Sequence, residues 1–284
     1  MQGRKLAPAD LPAAPPPLLT VIIANYNYGL YIRECLESIL TQTFKNLEII
    51  VFDDCSDDDS RPIIREFEHR YPGVVTGIFT PVKKGVTLAR HEAILKSRAD
   101  YITTIDSDDY YYDPRKLEKE WELITHHKQT TGKDIIAFSN IALVNRDKSV
   151  IRIQGSPDTI KEGNILKEIM TRSCMIPRDF IVSKEAYFAV GGYDRRFSIY
   201  EDWDLKIRLA QKYEYYYSGL TGIAYRRHGT GLSSLPIKDN LKWLKKVFKK
   251  NKKLAPKAEK KAIIAGFNQF VEKTEINQRL REKK

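Results

Sequence analysis

Cysteine is scarce in this chain: Cys35, Cys55 and Cys174 are the only three, scattered and odd in number. They cannot form a paired disulfide framework and lack the spacing of metal ligands, which excludes a disulfide-stapled or zinc-held fold. A reduced, cytoplasmic setting is expected. No run approaches the roughly eighteen apolar residues of a bilayer span. The opening "MQGRKLAPADLPAAPPPLLT" has no continuous apolar stretch of the secretory kind, and its Pro/Ala richness describes a flexible leader over residues 1–17. No G-x-G-x-x-G occurs, which removes a Rossmann dehydrogenase. "ANYNYGLYIRE", after the first apolar run, has one glycine where a nucleotidyltransferase would carry a glycine-rich basic loop for a triphosphate.

Acidic excess is also missing, and the +11 charge is unevenly placed. Residues 238–284 hold 16 Lys/Arg against 5 Asp/Glu, whereas residues 1–237 hold 32 of each. The neutral body gives no electrostatic support for nucleic-acid binding, so no nucleic-acid partner is expected.

What is present is an alternation. "LLTVIIAN" (18–25), "NLEIIVFDD" (46–54), "GVVTGIFT" (73–80) and "YITTID" (101–106) are short β-branched apolar runs that read as strands. Between them "GLYIRECLESILTQT" (29–43), "SRPIIREFEHRYP" (60–72) and "TLARHEAILKSRA" (87–99) carry apolar residues at helical spacing. Strand–helix alternation over 110 residues predicts an α/β fold with a mostly parallel sheet sandwiched between helices. Ligands of such sheets sit beyond the carboxyl ends of the strands. Three of those ends are polar or acidic: "ANYNY", "DDCSDDD" and "DSDD". Asp106, Asp108 and Asp109 repel one another unless a cation opposes them, so a divalent metal is expected there. Without His/Cys companions, Mn²⁺ or Mg²⁺ is preferred to zinc.

"TVIIANYNYGLYIRECLESILTQTFKNLEIIVFDDCSDD", "GVTLARHEAI…ADYITTIDSDD" and "VGGYDRRFSIYEDWDLKIRLA", in this order and spacing, resemble the inverting family 2 glycosyltransferases of GT-A fold. The resemblance covers about Leu18 to Ser234 and implies a catalytic domain over residues 18–236, a single Rossmann-like sheet and a nucleotide-sugar donor. It implies that Asp54, with Asp53 beside it, bonds the imide of a uracil, which favours UDP. Tyr26 matches a ring lying near the base, and a strand-end core aromatic is the other account of it. Asp57, Asp58 and Asp59 are expected to cap the helix that follows. Arg90 matches an arginine holding the nucleotide, and "DSDD" becomes a DxD-type motif. Asp108 is then the closest metal contact, with Asp106 and Asp109 touching metal, ribose or water. The "ED" before "LKIRLA" makes Asp202 the catalytic base, which takes the acceptor hydroxyl's proton during in-line attack. Trp203 either walls the acceptor site or belongs to the core. In "AYRRHGTGLSS", Arg226, Arg227 and His228 would supply positive charge to the leaving diphosphate, and the segment would close over it; His228 faces phosphate or metal, or is a structural or solvated histidine.

Two alternatives stay open: a catalytically silent nucleotide-sugar-binding protein of the same fold, or a sugar nucleotidyltransferase. The acceptor, a glycan or a lipid-linked glycan of a bacterial surface, has no signature in residues 125–175.

The basic tail, 237–284, predicts two amphipathic helices. Leu241, Leu244, Val247 and Phe248 share one face, and after Pro256 Ile263, Ile264, Phe267, Phe270 and Val271 share another. Either these stripes pack on the catalytic domain or on a second subunit as a homo-oligomer, or they form a basic surface settling on the inner face of a membrane.

Overall fold

The computed structural model describes residues 16–155, 159–228 and 236–282; the leader up to residue 15 and the stretch 229–235 lie outside the described residues. The four expected strands are present as β1 (Leu19–Asn25), β2 (Leu47–Asp53), β3 (Val75–Phe79) and β4 (Tyr101–Asp106). With β8 (Val182–Ser183) they form a sheet of order β3-β2-β1-β4-β8, parallel except for the β8 edge. Helices α1 (Gly29–Leu40), α2 (Ser60–Arg70) and α3 (Val86–Lys96) connect these strands. The third helix stops three residues short of the expected 99 because Ser97 is extended, at ψ 141°.

Burial explains why the sheet is parallel. Leu19, Val21 and Ile23 of β1 belong to an apolar cluster with α1 and α2, whereas Ile22 faces a second cluster with α3. Successive side chains of a strand point to opposite faces, so a strand apolar throughout must be covered twice.

Beyond β4 the chain builds a second sheet, of order β5-β9-β6-β7, in the region where the sequence carried few signals. Its members are β5 (Tyr110–Tyr111), β6 (Ile136–Val144), β7 (Val150–Gln154) and β9 (Tyr215–Arg226). All nine residues of β6 are buried, and β9 pairs parallel to it with register shifts near Asn140. Helix α4 (Lys116–Thr131) packs against this pair. At Gly222 of β9 a Cβ would lie 2.6 Å from Ser139 Cβ and 2.7 Å from Lys116 Cγ, so only glycine permits the approach. There Lys116 and Glu120, both fully buried, pair at 2.7 Å, with Ser139 and the Asp179 carbonyl completing the bonds.

The remaining helices are α5 (Leu166–Thr171), α6 (Lys184–Ala189), α7 (Glu201–Ala210), α8 (Ile237–Asn251) and α9 (Lys260–Glu282). The apolar stripes of α8 and α9 turn inward onto this chain's own body. Leu241, Leu244, Val247, Phe248, Ile263, Phe267 and Val271 are buried in the cluster that holds α5 and α7. Phe248 and Phe267 stack at 3.9 Å between centroids, and Phe267 also stacks on Trp203 at 5.9 Å. Trp203 is therefore a core residue, its indole N–H donating to Ile169 O at 2.8 Å. These stripes are not free to enter a bilayer.

Truncating an aromatic ring in such a core costs about 3–5 kcal/mol. Phe267→Ala should lower the urea unfolding free energy by that amount in one cooperative transition. An unchanged midpoint would mean that α9 is not part of the folded unit.

Candidate active site

Register brings the acidic ends together. Asn25 lies beside Asp53 on one side, and its neighbour Ala24 lies beside Asp106 on the other. From Asp106 the chain turns, with Asp109 N–H donating to Asp106 O at 3.1 Å, and enters the second sheet at Tyr110, opposite Ala224 of β9. The acidic turn thus lies where the two sheets meet. One carboxylate oxygen each from Asp106, Asp108 and Asp109 falls within 4.8 Å of the others.

Each of the three has different company. Asp106 Oδ1 accepts from Arg90 of α3, and Oδ2 from Arg178 in the segment before β8. Burial alone would raise its pKa, but Arg178 and Arg90 hold it below the usual carboxylate range. Asp108 Oδ2 meets His228 Nε2 at 2.8 Å, and the imidazole stacks on Tyr31 at 5.3 Å and stands edge-on to Tyr28 at 5.7 Å. Asp109, buried, accepts from the Arg226 backbone N–H at 2.9 Å, while Arg178 stands 3.9 Å away. Burial and then repulsion from a neighbouring carboxylate push both Asp108 and Asp109 upward. Within the cluster, Asp108 and Asp109 therefore have the least compensating charge, since Asp106 already faces two guanidiniums.

Arg90 is 1% exposed. Besides Asp106 it holds Glu201 Oε1 at 2.5 Å, which ties β4 to the first turn of α7. It was expected to hold a nucleotide, yet it lies beneath the surface with two carboxylates on its terminal nitrogens. One residue on, Asp202 pairs with Lys206 at 2.6 Å, and that ammonium also donates to Ile176 O at 2.8 Å. Burial would raise the Asp202 pKa; Lys206 first, then Arg178, hold it well below the ordinary range. The carboxylate is thus ionised at neutral pH.

The nucleotide-facing candidates divide. Asp53 is fully buried and accepts from Asn25 Nδ2, Ser56 N and Arg61 Nε at 2.9, 3.1 and 2.6 Å, which makes it a strut of the β2 end. Asp54, 3% exposed, accepts from the Lys84 and Gly85 N–H groups at 2.6 and 2.7 Å and so anchors the lip before α3. Tyr26 is exposed, with Lys83 Nζ 3.3 Å from its ring centroid, so it is no core aromatic. Of the three expected helix caps, Asp58 alone bonds helix-start N–H groups: Ser60 N at 3.0 Å and Gly29 N at 2.7 Å. Asp57 accepts instead from Asn27 Nδ2, and Asp59 makes no side-chain cap.

Arg227 is exposed and its N–H donates to Val144 O at 2.8 Å. Arg226 is buried, its guanidinium donating to Asp108 O, Arg146 O and Glu34. The expected closure by 229–234 lies outside the described residues. Arg178, Lys206, Glu34, Tyr28 and Tyr31 had not been assigned to the site. Arg178 stands in "RSCMIPRDF", which carries no local mark of pairing with an aspartate 72 residues earlier.

The glycosyl transferase family 2 model matches residues 20–181. An uncharacterised protein of Mycobacterium tuberculosis, Rv1520, is 26% identical over 224 residues, which are 75% of this chain and 60% of that protein. WfaP of Escherichia coli, named a UDP-Glc:α-D-GlcNAc-diphosphoundecaprenol β-1,3-glucosyltransferase, is 33% identical over 150 residues, 53% of this chain and 56% of its own length. The chain thus spans less than two thirds of these relatives. The Staphylococcus aureus TarS fragment 1–349, solved with UDP-GlcNAc, superposes with a TM-score of 0.69 at 18% identity, covering 88% of this chain and 71% of that one. That likeness shows a shared fold.

Removing one partner of a buried ion pair costs about 3–5 kcal/mol, because the other charge is stranded. Arg90→Met, which keeps bulk but strands Glu201 and leaves Asp106 with Arg178 alone, should lower unfolding stability by that much in urea titrations. A loss below about 1 kcal/mol, the range of exposed pairs, would place Arg90 outside the scaffold.

Proposed function

The chain belongs to glycosyl transferase family 2, and from that membership we propose that it moves a sugar from a nucleotide-diphosphate donor, with UDP-sugar favoured, to an acceptor hydroxyl with inversion. The observation that carries this reading is the meeting of the three carboxylates at the end of β4 with the acidic first turn of α7 through Arg90. The catalytic unit is residues 18–236, buttressed by α8 and α9. UDP is favoured by the carboxylate of Asp54, whose lone pairs beyond those given to Lys84 and Gly85 can accept from an imide N–H. The TarS fragment, of the same fold, was solved with UDP-GlcNAc.

The all-oxygen donor set at the acidic turn suits Mn²⁺ or Mg²⁺. Asp108 would hold the ion, with Asp109 beside it, whereas Asp106 is already neutralised by Arg90 and Arg178 and orients the turn. When bound, the ion would offset the charge of the donor's diphosphate. His228, bonded to Asp108, fixes that carboxylate against the Tyr28–Tyr31 pair, and Arg227, with its exposed side chain, faces the phosphates. Asp202, kept ionised by Lys206 at Oδ2, takes the acceptor's proton as the acceptor oxygen bonds the sugar and the sugar–diphosphate bond breaks, the diphosphate leaving with the electron pair. The acceptor is a sugar hydroxyl of a bacterial surface glycan, in keeping with the lipid-diphosphate-linked acceptor in WfaP's name.

Asp108→Asn should abolish the thermal shift produced by Mn²⁺ alone and most Mn²⁺-dependent transfer, with the metal-free melting point kept. Retained Mn²⁺ binding would remove Asp108 from the metal site. Asp202→Asn should cut transfer by roughly 10²–10⁴-fold with UDP affinity unchanged. Because Lys206 depresses the Asp202 pKa, the acid limb of kcat/KM should lie below the ordinary carboxylate range. Lys206→Met should move that limb toward neutral pH, and a profile that stays put would mean that another group titrates.

A further inference from the structure

The lysines of α8 are not spread around the helix. Lys238, Lys242, Lys245, Lys246, Lys249, Lys252 and Lys253 are all exposed, the last two in the single 3₁₀ turn that follows Asn251. At 100° per residue they fall within an arc of about 120°, opposite the arc of Leu241, Leu244, Val247 and Phe248 that faces the core. The row is about 22 Å long at 1.5 Å per residue. Among the described residues, Lys245 is the one member of the row with an acidic partner, Glu275 at 3.2 Å. The six other lysines have no acidic partner among the described residues, and Lys246 leans over the Trp243 ring at one side of the edge.

We propose that this edge docks the protein on an anionic phospholipid surface by charge alone, at headgroup depth and without insertion. The mode follows from the packing. An amphipathic helix enters a bilayer by its apolar face, and here that face is spent on the core. A row of lysines outside a membrane keeps its attraction to anionic headgroups regardless, each adding roughly five-fold in affinity.

The composition of the row argues against other anionic partners. Readers of single-stranded nucleic acid interleave cations with exposed aromatic platforms and favour arginine. The arc has no arginine, and its nearest aromatic, Trp243, is half-buried with Lys246 4.6 Å from its ring centroid. A protein partner would need an apolar anchor at the centre of its interface, and none stands within the arc. A flat field of mobile headgroups asks for neither. The inference does not depend on the sugar-transfer reading, because it concerns a face on the far side of α8 from the core.

The test uses the intact chain and sedimentation with vesicles. Phosphatidylcholine–phosphatidylserine vesicles should carry the protein down at low salt, release it near 0.5 M salt, where the screening length is only about 4 Å, and phosphatidylcholine alone should not bind. The variant Lys242→Gln, Lys246→Gln, Lys249→Gln, Lys253→Gln should lose on the order of a hundred-fold or more in affinity. Its melting point should be unchanged. The same number of changes elsewhere, Lys45→Gln, Lys96→Gln, Lys133→Gln, Lys161→Gln, should cost far less. Failure of the intact chain to sediment at low salt would overturn the proposal, as would equal losses in the two variants. Quenching of Trp243 by acyl-brominated lipid would overturn the headgroup-level mode. Tight retention on single-stranded RNA with no vesicle binding would reassign the face to nucleic acid.

Discussion

The buried guanidinium of Arg90 is the tie on which the site depends. It comes from α3, in the first half of the chain, and its two terminal nitrogens take Asp106 at the end of β4 and Glu201 at the start of α7. Two carboxylates 95 residues apart in the chain would repel each other in a low-dielectric interior, and one delocalised cation between them turns that repulsion into a clamp. Desolvation works against a buried arginine, yet Asp106 and then Glu201 push its pKa above the ordinary value, so the charge is permanent. The geometry of the acidic turn and of the proposed base therefore share one support.

Around that clamp the charges are graded. Asp106 is held ionised by two arginines, Asp108 leans on one imidazole, and Asp109 has a backbone N–H as its hydrogen-bond partner and a guanidinium 3.9 Å off. Negative charge is thus least compensated on the side away from Arg90. Behind the cluster, Tyr225 donates to Asp179 at 2.5 Å and accepts from the Arg178 backbone, so the arginine that faces Asp106 is itself held by the second sheet. The carboxyl of Asp179, pushed up to about 6 mainly by burial, sits at the inner end of that chain of contacts. Preorganised charge of this kind needs no rearrangement when an anionic ligand and its cation arrive.

The helices after residue 236 belong to the same mechanical unit. Lys250 reaches from α8 to Asp194 and Asp204, and Asn251 Nδ2 donates to Asp204 at 2.7 Å, so α8 grips α7 one turn on from the Glu201 that Arg90 holds. Two amphipathic helices bury one face against the body and leave the other face charged. Their inward stripe packs against the helix carrying Asp202, and the lysines of α8 face outward.

Local pattern was enough to read much of this protein. The alternation of strand and helix through β4, the acidic strand ends, the "ED" that opens α7 and the two stripes of the tail are properties of short stretches, set by periodicity and side-chain chemistry. The second sheet was not legible, because β9 mixes tyrosines with two glycines and pairs with β6 across register shifts. Nor could local pattern say which charges meet. Arg90 and Glu201 are 111 residues apart, Arg226 and Glu34 192, and Arg178 and Asp106 72. An isolated arginine carries no mark of its partner; the fold that brings the end of β4 and the start of α7 to α3 selects it. The same holds for the tail, whose sequence allowed a membrane face or a core face, and whose stripe turned inward because Trp203 and the cluster around α5 and α7 offered apolar surface to bury.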